Sequence, residues 1–506
     1  MNSSTFQYFS ASCILASVAF AQAPTASLRG QVTDSSQAVI PNAAVALHSR
    51  DTGLQRSTAT NIFGEFNIPA LPPGRYEVTA SAPGFHGTTE PAELLVGREA
   101  TVNFRLEIGA EKQIIAVEGH AAQVDTTEFK VEGIIARSQV ENMPLNGRNA
   151  LELARLQPGV LVSSGVPSGK NGFVSVGIGG ETSAATRITV DGGSVVDQVT
   201  GGSWQNFSQE VVQEFQVSVG NFDISTGITA SGAVNIVTRS GNNSLHGTGF
   251  AFWRDSSFAA NPALTRNPVV PDPKFDREQY GYLASGPGIP DKLFWLTSID
   301  RTRQRGVSPF LSNNVEFTAF NVIKKEPFDV MLQTHKLDWN ISQNDHVSFR
   351  FSRDGNQGRA GGSLVENQRV NRNGANQLLS NWTHVFGPKL VSDFRIQFQK
   401  YSNYYTPTPE AFAMRIPRVA VRQSNVTFGL DDNSPQSTLI GRLEMSDTFS
   451  HQVGRHSLKY GFSFERDRGR GTCLNQPLFA GRGARGGYQR TGGVQHARGS
   501  AAIAGA

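Results

Sequence analysis

The segment HVSFRFS, residues 346–352, alternates strictly between polar and large apolar side chains. Successive side chains of a β-strand point to opposite faces of the sheet, so this period of two predicts a strand with one charged face and one aromatic face. In a soluble sandwich the charged face would meet bulk water, whereas in a membrane barrel it would line a wet lumen and the aromatic face would meet lipid. Periodicity alone leaves both arrangements open and favours the barrel.

The same alternation recurs across residues 245–466. The apolar members of two further strands are Phe394, Ile396 and Phe398, which alternate with the polar Arg395, Gln397 and Gln399, and Leu458, Tyr460, Phe462 and Phe464. Turn-forming residues at 342–345, 387–389 and 453–455 would join such strands into hairpins. Four of the five tryptophans lie in this zone, as expected for interfacial girdles, although aromatic cores of soluble sheets would also collect them; they are Trp253, Trp295, Trp339 and Trp382.

Residues 114–241 form a second zone, in which short apolar strands mix with glycine-rich turns and one helix. The helix is predicted where apolar residues recur at helical spacing before Pro158-Gly159; we interpret them as core, and they are Ala150, Leu151, Leu153, Ala154 and Leu156. Nucleotide binding explains the glycines poorly. The segment SGKN at 168–171 has no glycine at the Walker position of a phosphate-binding loop, and it has Asn where a Ser or Thr hydroxyl should hold magnesium. Turns and close backbone contacts explain them better.

Four motifs of this zone resemble the plug domain of TonB-dependent outer-membrane receptors. They are MPLNGRN at 143–149, LQPGV at 156–160, VDG at 190–192 and SGAVNIVTRSG at 231–241. The PLNGRN segment is similar to the Oar-like branch, in which a regulatory-like sandwich precedes the plug and a barrel follows. The resemblance marks as plug-motif residues Pro144, Leu145, Asn146, Gly147, Arg148, Asn149, Asp191, Gly192, Asn235, Thr238 and Gly241.

Residues 28–107 read as short alternating strands broken by Gly and Pro, which is the pattern of a small β-sandwich. Its expected inward-facing residues are Val45, Leu47, Phe66, Ile68, Tyr76, Val78, Val102, Phe104 and Leu106. Five motifs in order resemble the carboxypeptidase regulatory-like domain, a prealbumin-like or carbohydrate-binding-like sandwich. They are GQVTD at 30–34, IPNA at 40–43, TNIFGEF at 60–66, LPPGRY at 71–76 and APGF at 82–85.

The name of that domain suggests an enzyme that uses zinc, but the sequence lacks the pattern of zinc ligands. A zinc carboxypeptidase needs a His and a carboxylate at ligand spacing on one element, with a water-activating Glu elsewhere. None of the ten histidines begins an H-x-x-E or H-E-x-x-H pattern, and the nearest pair, His86 and Glu90, falls in a loop. We therefore predict no enzyme activity, no catalytic residue, no metal and no cofactor.

The start of the chain has the features of a secretory signal, predicted over residues 1–21. An apolar run from Cys13 ends in Ala19-Phe20-Ala21, the small-x-small pattern that a signal peptidase reads. No Lys or Arg precedes the run, so a mis-assigned start codon is the alternative. Cleavage would leave Cys473 alone, without an internal disulfide. No later stretch reaches the ~18 apolar residues of a membrane helix, so any membrane crossing would use strands.

Composition excludes other classes of protein. The 506 residues could hold about three domains at ~150 residues each. A mean hydropathy of -0.29 rules out a bundle of apolar membrane helices. The 46 basic and 42 acidic side chains nearly balance and form no sustained basic stripe, so we predict no nucleic-acid partner.

The last part of the chain departs from the family pattern. A barrel that surrounds a plug takes about 22 strands, whereas the alternation indicates about ten up to Glu465. From Gly481 the sequence resembles out-of-frame translation of GC-rich DNA. We therefore predict that residues 245–466 are the N-terminal part of a barrel, that residues 467–506 are a tail outside the family, and that the chain is a frameshifted or truncated copy. The alternative is a basic, Gly-rich tail on a smaller assembly.

The combined prediction is a mainly β fold: an N-terminal prealbumin-like β-sandwich, an α+β plug domain and a partial antiparallel transmembrane β-barrel. The resemblance implies a receptor in the outer membrane of a Gram-negative-type bacterium, with sandwich and plug on the periplasmic side. It would bind an extracellular ligand, with glycan among the options, and import it with energy from the TonB complex. TonB would pair by strand addition with a segment before the plug, and the candidates are Ile114, Ile115, Ala116, Val117 and Glu118. The same segment could equally be a linker strand.

Other functions stay open at this stage. A cell-surface carbohydrate-binding or adhesion protein would use the sandwich without transport, and a truncated receptor would have no function. A peptidase accessory module fits worst, because no catalytic domain accompanies the sandwich. Uptake that stops when the proton gradient is dissipated would separate a receptor from an adhesin, whose binding would not change.

Overall fold

The computed structural model places three units along the chain. It describes residues 25–109, 115–116, 131–143, 145, 147–164, 174–197, 201–220, 229–258, 274–361, 364–414, 419–421, 425–430, 434–454, 456–473 and 492–504. The predicted signal segment lies outside these residues. Within them, no helix is both long enough and apolar enough to cross a membrane.

The first unit, called the sandwich (residues 25–109), has two sheets packed face to face. Its strands, with the short strand that follows them, are β1 Ala26–Asp34, β2 Ala44–His48, β3 Gln55–Ala59, β4 Glu65–Leu71, β5 Gly74–Ser81, β6 Thr88–Leu94, β7 Glu99–Thr101, β8 Phe104–Leu106 and β9 Ile115–Ala116. One sheet has the order β4-β1-β7, with β8 also paired to β1, and the other has the order β3-β2-β5-β6-β9.

The core of the sandwich consists of the alternating residues that the sequence predicts. Val45, Leu47, Val78 and Leu106 are all fully or nearly fully buried between the two sheets. A side chain at Gly30 would put its Cβ 1.7 Å from the Val102 carbonyl oxygen, so the close approach of β1 to the chain before β8 requires glycine.

The second unit, called the plug unit (residues 131–241), is a mixed α+β structure. Its elements are β10 Val131–Ala136, α1 Arg137–Asn142, a 3₁₀ helix Ala150–Leu156, β11 Val160–Ser164, β12 Val174–Ile178, β13 Thr186–Val190, β14 Gly193–Ser194, β15 Val212–Gly220 and β16 Gly232–Thr238. The main sheet has the order β10-β15-β16-β13-β14, in which only β13 and β16 run parallel.

The helix predicted before Pro158 is present as the 3₁₀ helix. The Asn149 side chain caps it by accepting a hydrogen bond from the Leu151 N–H at 3.1 Å. Ala150, Leu151, Leu153 and Ala154 are buried as predicted. Leu156, in contrast, is exposed, because it is the last helical residue and the chain runs along the surface from there.

The third unit, called the large sheet, is antiparallel throughout and ten-stranded in the order β17-β18-β19-β20-β21-β22-β23-β26-β27-β28. The strands of this zone are β17 His246–Asp255, β18 Phe275–Ile289, β19 Leu293–Phe310, β20 Val322–Asn340, β21 Asp345–Ala360, β22 Arg369–Gly387, β23 Leu390–Pro407, β24 Val419–Val421, β25 Val426–Phe428, β26 Gln436–Val453, β27 His456–Cys473 and β28 Gly492–Ala504. Strands β24 and β25 form a separate hairpin, and a short helix α2, Pro409–Met414, precedes them.

Strand length explains a difference from the sequence prediction. Of the ten large-sheet strands, nine lie before residue 474 and the tenth is β28. Most of them have 15 to 19 residues, so stretches that look like two short strands belong to one long strand. Strand β28 pairs with β27 inside the segment predicted as a tail.

The two faces of the large sheet have opposite chemistry. Side chains such as Phe349 and Phe398 are exposed on the outer face, while Arg350, Arg395 and Gln397 are almost completely buried on the inner face against the plug unit. A soluble protein places its residues the other way round. This inversion is the one expected for a sheet whose outer face meets lipid.

Two of the predicted girdle tryptophans share one cross-strand row. Trp339 pairs with Val347, and Val347 pairs with Trp382. Both indole rings are partly exposed on the outer face, close to the turns that join β20 to β21 and β22 to β23. This placement agrees with an aromatic belt at a membrane interface.

The two ends of the large sheet differ in the length of their connections. At one end the turns 290–292, 341–344, 388–389 and 454–455 have two to four residues, and at the other end the connections are long, for example 311–321 and 408–435. The sandwich lies at the short-turn end. There the Asn340 amide donates to the Thr52 carbonyl at 3.1 Å, and Arg56 donates to the Gln343 carbonyl.

Candidate functional site

The surface between the plug unit and the inner face of the large sheet contains many buried ion pairs and hydrogen bonds. At its centre is the tight turn between β13 and β14, where Asp191 and Gly192 both have positive φ angles. The Asp191 carboxylate accepts hydrogen bonds from the Thr238 N–H at 2.7 Å and the Thr238 hydroxyl at 2.6 Å. The Arg350 Nε lies 3.2 Å from the same carboxylate.

Electrostatics keep Asp191 ionised in spite of its complete burial. Burial alone would raise the pKa of this carboxyl, but Lys336, Arg350 and the two hydrogen bonds from Thr238 outweigh it and lower the pKa below its usual value. The turn therefore carries a negative charge that faces the positive charges of Lys336 and Arg350. This pairs two of the predicted plug-motif residues, Asp191 and Thr238, with side chains of the large sheet.

Side chains of the large sheet also bind the backbone of this turn. Arg350 donates to the Val190 carbonyl at 2.9 Å, and Arg395 donates to the Gly192 carbonyl at 3.1 Å. These bonds fix the position of the turn against β21 and β23, whatever side chains the turn carries. At Gly192 the positive φ is one that favours glycine.

A second group of contacts joins β13 and β14 to β26. Both oxygens of the Glu444 carboxylate are engaged: one lies 3.0 Å from Arg187 Nη2, and the other accepts from the Ser194 N–H at 3.1 Å. Next to it, Arg442 donates to the Val196 carbonyl at 3.2 Å and forms ion pairs with Asp467 at 2.8 Å. Glu444 and Arg442 therefore each have an opposite charge beside them, which is the condition for tolerating the burial of a charge.

An aromatic stack holds the plug-unit loop after residue 200. The Trp204 ring stacks on Tyr401 of β23, with centroids 5.7 Å apart and planes inclined by 1°. The Arg442 guanidinium carbon lies 4.3 Å from the centroid of the Trp204 ring. Trp204 is thus held between an aromatic ring and a cation of the large sheet.

The MPLNGRN motif anchors the plug unit further toward β17. Arg148 forms an ion pair with Glu210 and lies over the Phe252 ring, 4.9 Å from its centroid. Asn149 donates to the Asn206 side chain at 2.9 Å, and Asn206 donates to Asp354 of β21 at 2.9 Å. This part of the motif links the 3₁₀ helix to the large sheet through a chain of amides.

The other predicted plug-motif residues have different positions. Gly147 has a φ of 83° in the turn before Arg148. Leu145 is partly buried and packs against the plug core. Asn235 is buried within the plug unit, where its side-chain oxygen accepts a hydrogen bond from the Thr189 hydroxyl at 3.1 Å. At Gly241 a Cβ would come within 2.5 Å of the Trp295 carbonyl oxygen, so the passage from plug unit to large sheet requires glycine. Pro144 and Asn146 lie outside the described residues.

Only part of the candidate TonB-contacting segment is described. Ile115 and Ala116 form β9 at the edge of the sandwich, while Ile114, Val117 and Glu118 lie outside the described residues. The structure brings together the plug motif and the large sheet, and it pairs Ile115 and Ala116 with β6 of the sandwich.

The interface also contains residues that are not among the predicted site residues: Arg187, Trp204, Tyr401, Arg442 and Glu444. Arg350 and Arg395 were placed on the polar face by their alternation, but the plug loop that they bind is far away in the sequence. Arg442 and Glu444 follow the same period of two on β26, so alternation was a signal for them as well. Trp204 lies in a stretch without any periodicity and offered no such signal.

A buried carboxylate of the plug unit contacts the sandwich. The Val96 N–H, in the turn between β6 and β7, donates to Glu214 of β15 at 2.7 Å. Burial raises the pKa of Glu214 to about 7; Glu93 adds to this effect, while the Val96 N–H and Arg98 oppose it. Beside this contact is a cavity of about 350 Å³, lined by all three units, including Asp51, Glu214 and Lys336.

Metal binding has no support in the described ranges, where no three His, Cys, Asp or Glu side chains come together in an arrangement that could hold an ion. The interface holds the plug unit in place by ion pairs and hydrogen bonds. Water can replace these contacts one by one if the unit moves.

Comparison with known families identifies the class. A sequence model of the outer membrane beta barrel domain matches residues 237–319 and 311–504, which together are more than half of the chain. The chain therefore belongs to this family of outer-membrane β-barrel proteins. The match includes β28 and thus much of the segment predicted as a tail. A second model, of the carboxypeptidase regulatory-like domain, matches residues 27–107.

A curated relative narrows the comparison. The TonB-dependent transporter Oar of Myxococcus xanthus is 29% identical over 301 residues, which are 56% of this chain and 27% of the relative. The chain thus spans about a quarter of the length of the relative that it matches. The resemblance to the Oar-like branch, inferred from motifs, is confirmed by this relative.

A solved structure confirms the predicted fold class. The outer membrane transporter YddB from Escherichia coli superposes with a TM-score of 0.54 at 11% identity, over 72% of this chain and 52% of that chain. The siderophore receptor PirA from Acinetobacter baumannii gives a TM-score of 0.46 at 17% identity, over 67% of this chain and 48% of that chain. The likeness to YddB shows a shared fold.

Proposed function

We propose that this protein is a TonB-dependent receptor of the outer membrane, which binds an extracellular ligand and imports it, and that it catalyses no reaction. The observation that carries the proposal is the buried polar interface around Asp191, Arg187 and Glu444. A plug held by apolar packing would expose an apolar surface to water when it leaves its site. A plug held by charges and hydrogen bonds exposes groups that water solvates, so it can be released and returned.

The comparisons support this proposal at the level of the class. The family is one of outer-membrane barrels, and a relative that is 29% identical over 301 residues is a TonB-dependent transporter. We extend coupling to TonB from that relative to this chain. The segment Ile114–Glu118 is our proposed contact for TonB, because it precedes the plug unit and strand addition tolerates variation in sequence.

The orientation of the large sheet favours a receptor over an adhesin. Outer-membrane barrels have short turns on the periplasmic side and long loops outside. The sandwich lies at the short-turn end, next to residues such as Asn340 and Gln343, so we place the sandwich and the plug unit on the periplasmic side. An adhesin that held glycan through its sandwich would need that domain at the opposite end.

The ligand in this proposal is a scarce or bulky solute that meets the long connections first. Glycan is one class to test, because the sandwich resembles a carbohydrate-binding-like fold; metal chelates, vitamins and peptides are others. The position of the sandwich means that a glycan bound there would be met after passage through the lumen. The proposal therefore assigns the first contact to the long-loop end.

The test of this function does not depend on knowing the ligand. The purified full chain is titrated with the periplasmic domain of TonB, and the same titration is done with a variant that lacks residues 114–118. We expect saturable binding that the deletion weakens at least tenfold. Absence of binding to the parent chain would contradict coupling to TonB and leave the adhesin as the better explanation.

A further inference from the structure

The outer face of the large sheet changes from aromatic to basic toward the long connections. On β23, the outward Phe398 is followed at the next outward position by Lys400, and both side chains are exposed. On β27, the outward Phe464 is followed at successive outward positions by three arginines: Arg466, Arg468 and Arg470. We call these four cations the basic border. Long cationic side chains of this kind are favoured where a hydrocarbon layer meets its headgroups.

The acidic side chains of β27 lie on the opposite face. Glu465 and Asp467 alternate with the arginines and form ion pairs with Arg442 on the inner face, at 3.2 and 2.8 Å. Among the residues that the structure describes, no acidic side chain forms an ion pair with a member of the basic border. Neighbouring like charges on one face of a sheet repel each other. An anion from outside the described chain would therefore stabilise the border.

Arginines in another sector of the outer face are neutralised by acids of neighbouring strands. On β19, Arg301 lies 3.2 Å from Asp329 of β20, and Arg305 lies 3.0 Å from Asp276 of β18. Arg303, between them, lies 3.8 Å from the same Asp329. The lack of acidic partners is therefore a property of the basic border and not of outer-face arginines in general.

An open groove of about 570 Å³ adjoins the basic border. Its apolar part is one cross-strand row of outward side chains from four adjacent strands. In this row Phe351 pairs with Leu378, Leu378 with Phe398, and Phe398 with Leu443. The groove thus offers an apolar surface directly beside the cations.

The floor of the groove at its basic end is a glycine. Gly441 pairs with Lys400 on one side and with Arg468 on the other, and both cations line the groove together with Arg466. An added Cβ at Gly441 would meet no heavy atom within 4 Å apart from those of its chain neighbours. Adjacent strands lie ~4.8 Å apart, so the backbone positions of Lys400 and Arg468 are about 10 Å apart. The space above Gly441 is therefore open to an anionic group.

We propose that this groove binds a membrane lipid whose headgroup carries more than one phosphate. The acyl chains lie over the apolar row of the groove, and the phosphates lie among Lys400, Arg466 and Arg468. The inference goes beyond the proposed function and does not depend on coupling to TonB. It requires only that the large sheet lies in a membrane with its long connections at the level of the headgroups.

The charge and the order of the groove select this occupant. An apolar part followed by a cationic part matches the chains and the headgroup of a lipid that lies along the wall of the sheet. Guanidinium groups bind phosphate through charge-assisted hydrogen bonds, and clusters of Lys and Arg select anionic headgroups. A zwitterionic headgroup brings a cation of its own, which the border repels. Several cations without an acid favour two phosphates over one, because a single phosphate leaves more positive charge uncompensated.

Native mass spectrometry of the full chain in detergent tests the cations. The probes are lipid A, a glycolipid with two phosphates, and phosphatidylcholine at the same concentration. We expect lipid A to bind in preference, and the triple variant Lys400→Gln, Arg466→Gln, Arg468→Gln to bind it at least tenfold more weakly. The matched control, Arg301→Gln, Arg303→Gln, Arg305→Gln, removes three charges from β19 and should change binding less than twofold. Equal losses in the two triple variants, or equal binding of the two lipids, would overturn the proposal.

The groove itself is tested by Gly441→Phe, which changes no charge. Its ring would fill the open space between Lys400 and Arg468, so we expect lipid A to bind at least fivefold more weakly. Circular dichroism that matches the parent chain shows that the variant is folded. Undiminished binding in folded Gly441→Phe, or displacement of lipid A by an equal concentration of inorganic phosphate, would mean that the charges alone act and that no lipid occupies the groove. Failure of the parent chain to bind TonB would leave these outcomes unchanged, so the two proposals fail separately.

Discussion

Glu444 is a single large-sheet residue that bonds to two different groups of the plug unit. Its carboxylate lies 3.0 Å from Arg187 Nη2 and also accepts from the Ser194 N–H. All three residues are shielded from water, Glu444 and Ser194 almost completely. Removal of one partner from a buried ion pair leaves the other charge without compensation, which costs far more than the pair contributes.

We expect Glu444→Ala to weaken the seating of the plug unit by about 3–5 kcal/mol. The matched control is Glu410→Ala, which breaks the exposed ion pair with Arg359 and should cost less than about 1 kcal/mol. Protease release of the plug unit from the folded chain, measured against denaturant, gives the two values. Adding Arg187→Ala to Glu444→Ala should recover part of the loss, and equal effects of the two single variants would contradict this account.

At the scale of elements, we expect the contact between the sandwich and β15 to depend on pH. The pKa of Glu214 is raised to about 7 when the sandwich is docked, against an ordinary value near 4.5. The docked state therefore binds the proton more tightly than the undocked state. Docking is strongest below about pH 4.5, weakens as pH rises from there to about 7, and is constant above that.

We expect docking of the sandwich to lose up to about 3 kcal/mol between pH 4.5 and 7, at about 1.4 kcal/mol for each unit of pKa shift. Energy transfer between dyes on the sandwich and the plug unit, followed against pH, measures this loss. Glu214→Gln keeps the shape but cannot ionise, so its docking should lose most of the pH dependence. A slope that persists in Glu214→Gln would assign the effect to another group.

Sequence periodicity predicts which elements form and which face each residue occupies, but not which elements meet. The period of two placed Arg350, Arg395 and Gln397 on the polar face because alternation is a local property of a strand. Their partners in the plug turn, such as Asp191, are set by how two separate units dock, which no local pattern records. The contact between Trp204 and Tyr401 also depends on how the two units dock, and the sequence around Trp204 has no periodicity that predicts it.

At the scale of the whole molecule, the chain combines two apolar cores with a sheet whose polar face is buried and whose aromatic face is exposed. The sandwich and the plug unit bury apolar residues such as Leu47 and Phe215, as soluble domains do. The large sheet buries Arg350 and exposes Phe349. The plug unit makes this arrangement stable on the inside by pairing the buried charges, and lipid makes it stable on the outside by covering the aromatic face.

The segment at residues 346–352 offers the most direct test of this central claim. Spin labels are attached to single cysteines at each of these positions, with Cys13→Ser and Cys473→Ser, in the full chain embedded in lipid vesicles. Relaxation by oxygen, which concentrates in lipid, and by a water-soluble nickel chelate then reports the environment of each label.

The account predicts that oxygen reaches the labels at Val347, Phe349 and Phe351, while neither reagent reaches those at Arg350 and Ser352. Deletion of residues 131–238 should open Arg350 and Ser352 to the nickel chelate and leave the outward positions unchanged. Nickel access at Phe349 and Phe351 in the intact chain would mean that the aromatic face meets water, and it would contradict the assignment of the large sheet to the membrane.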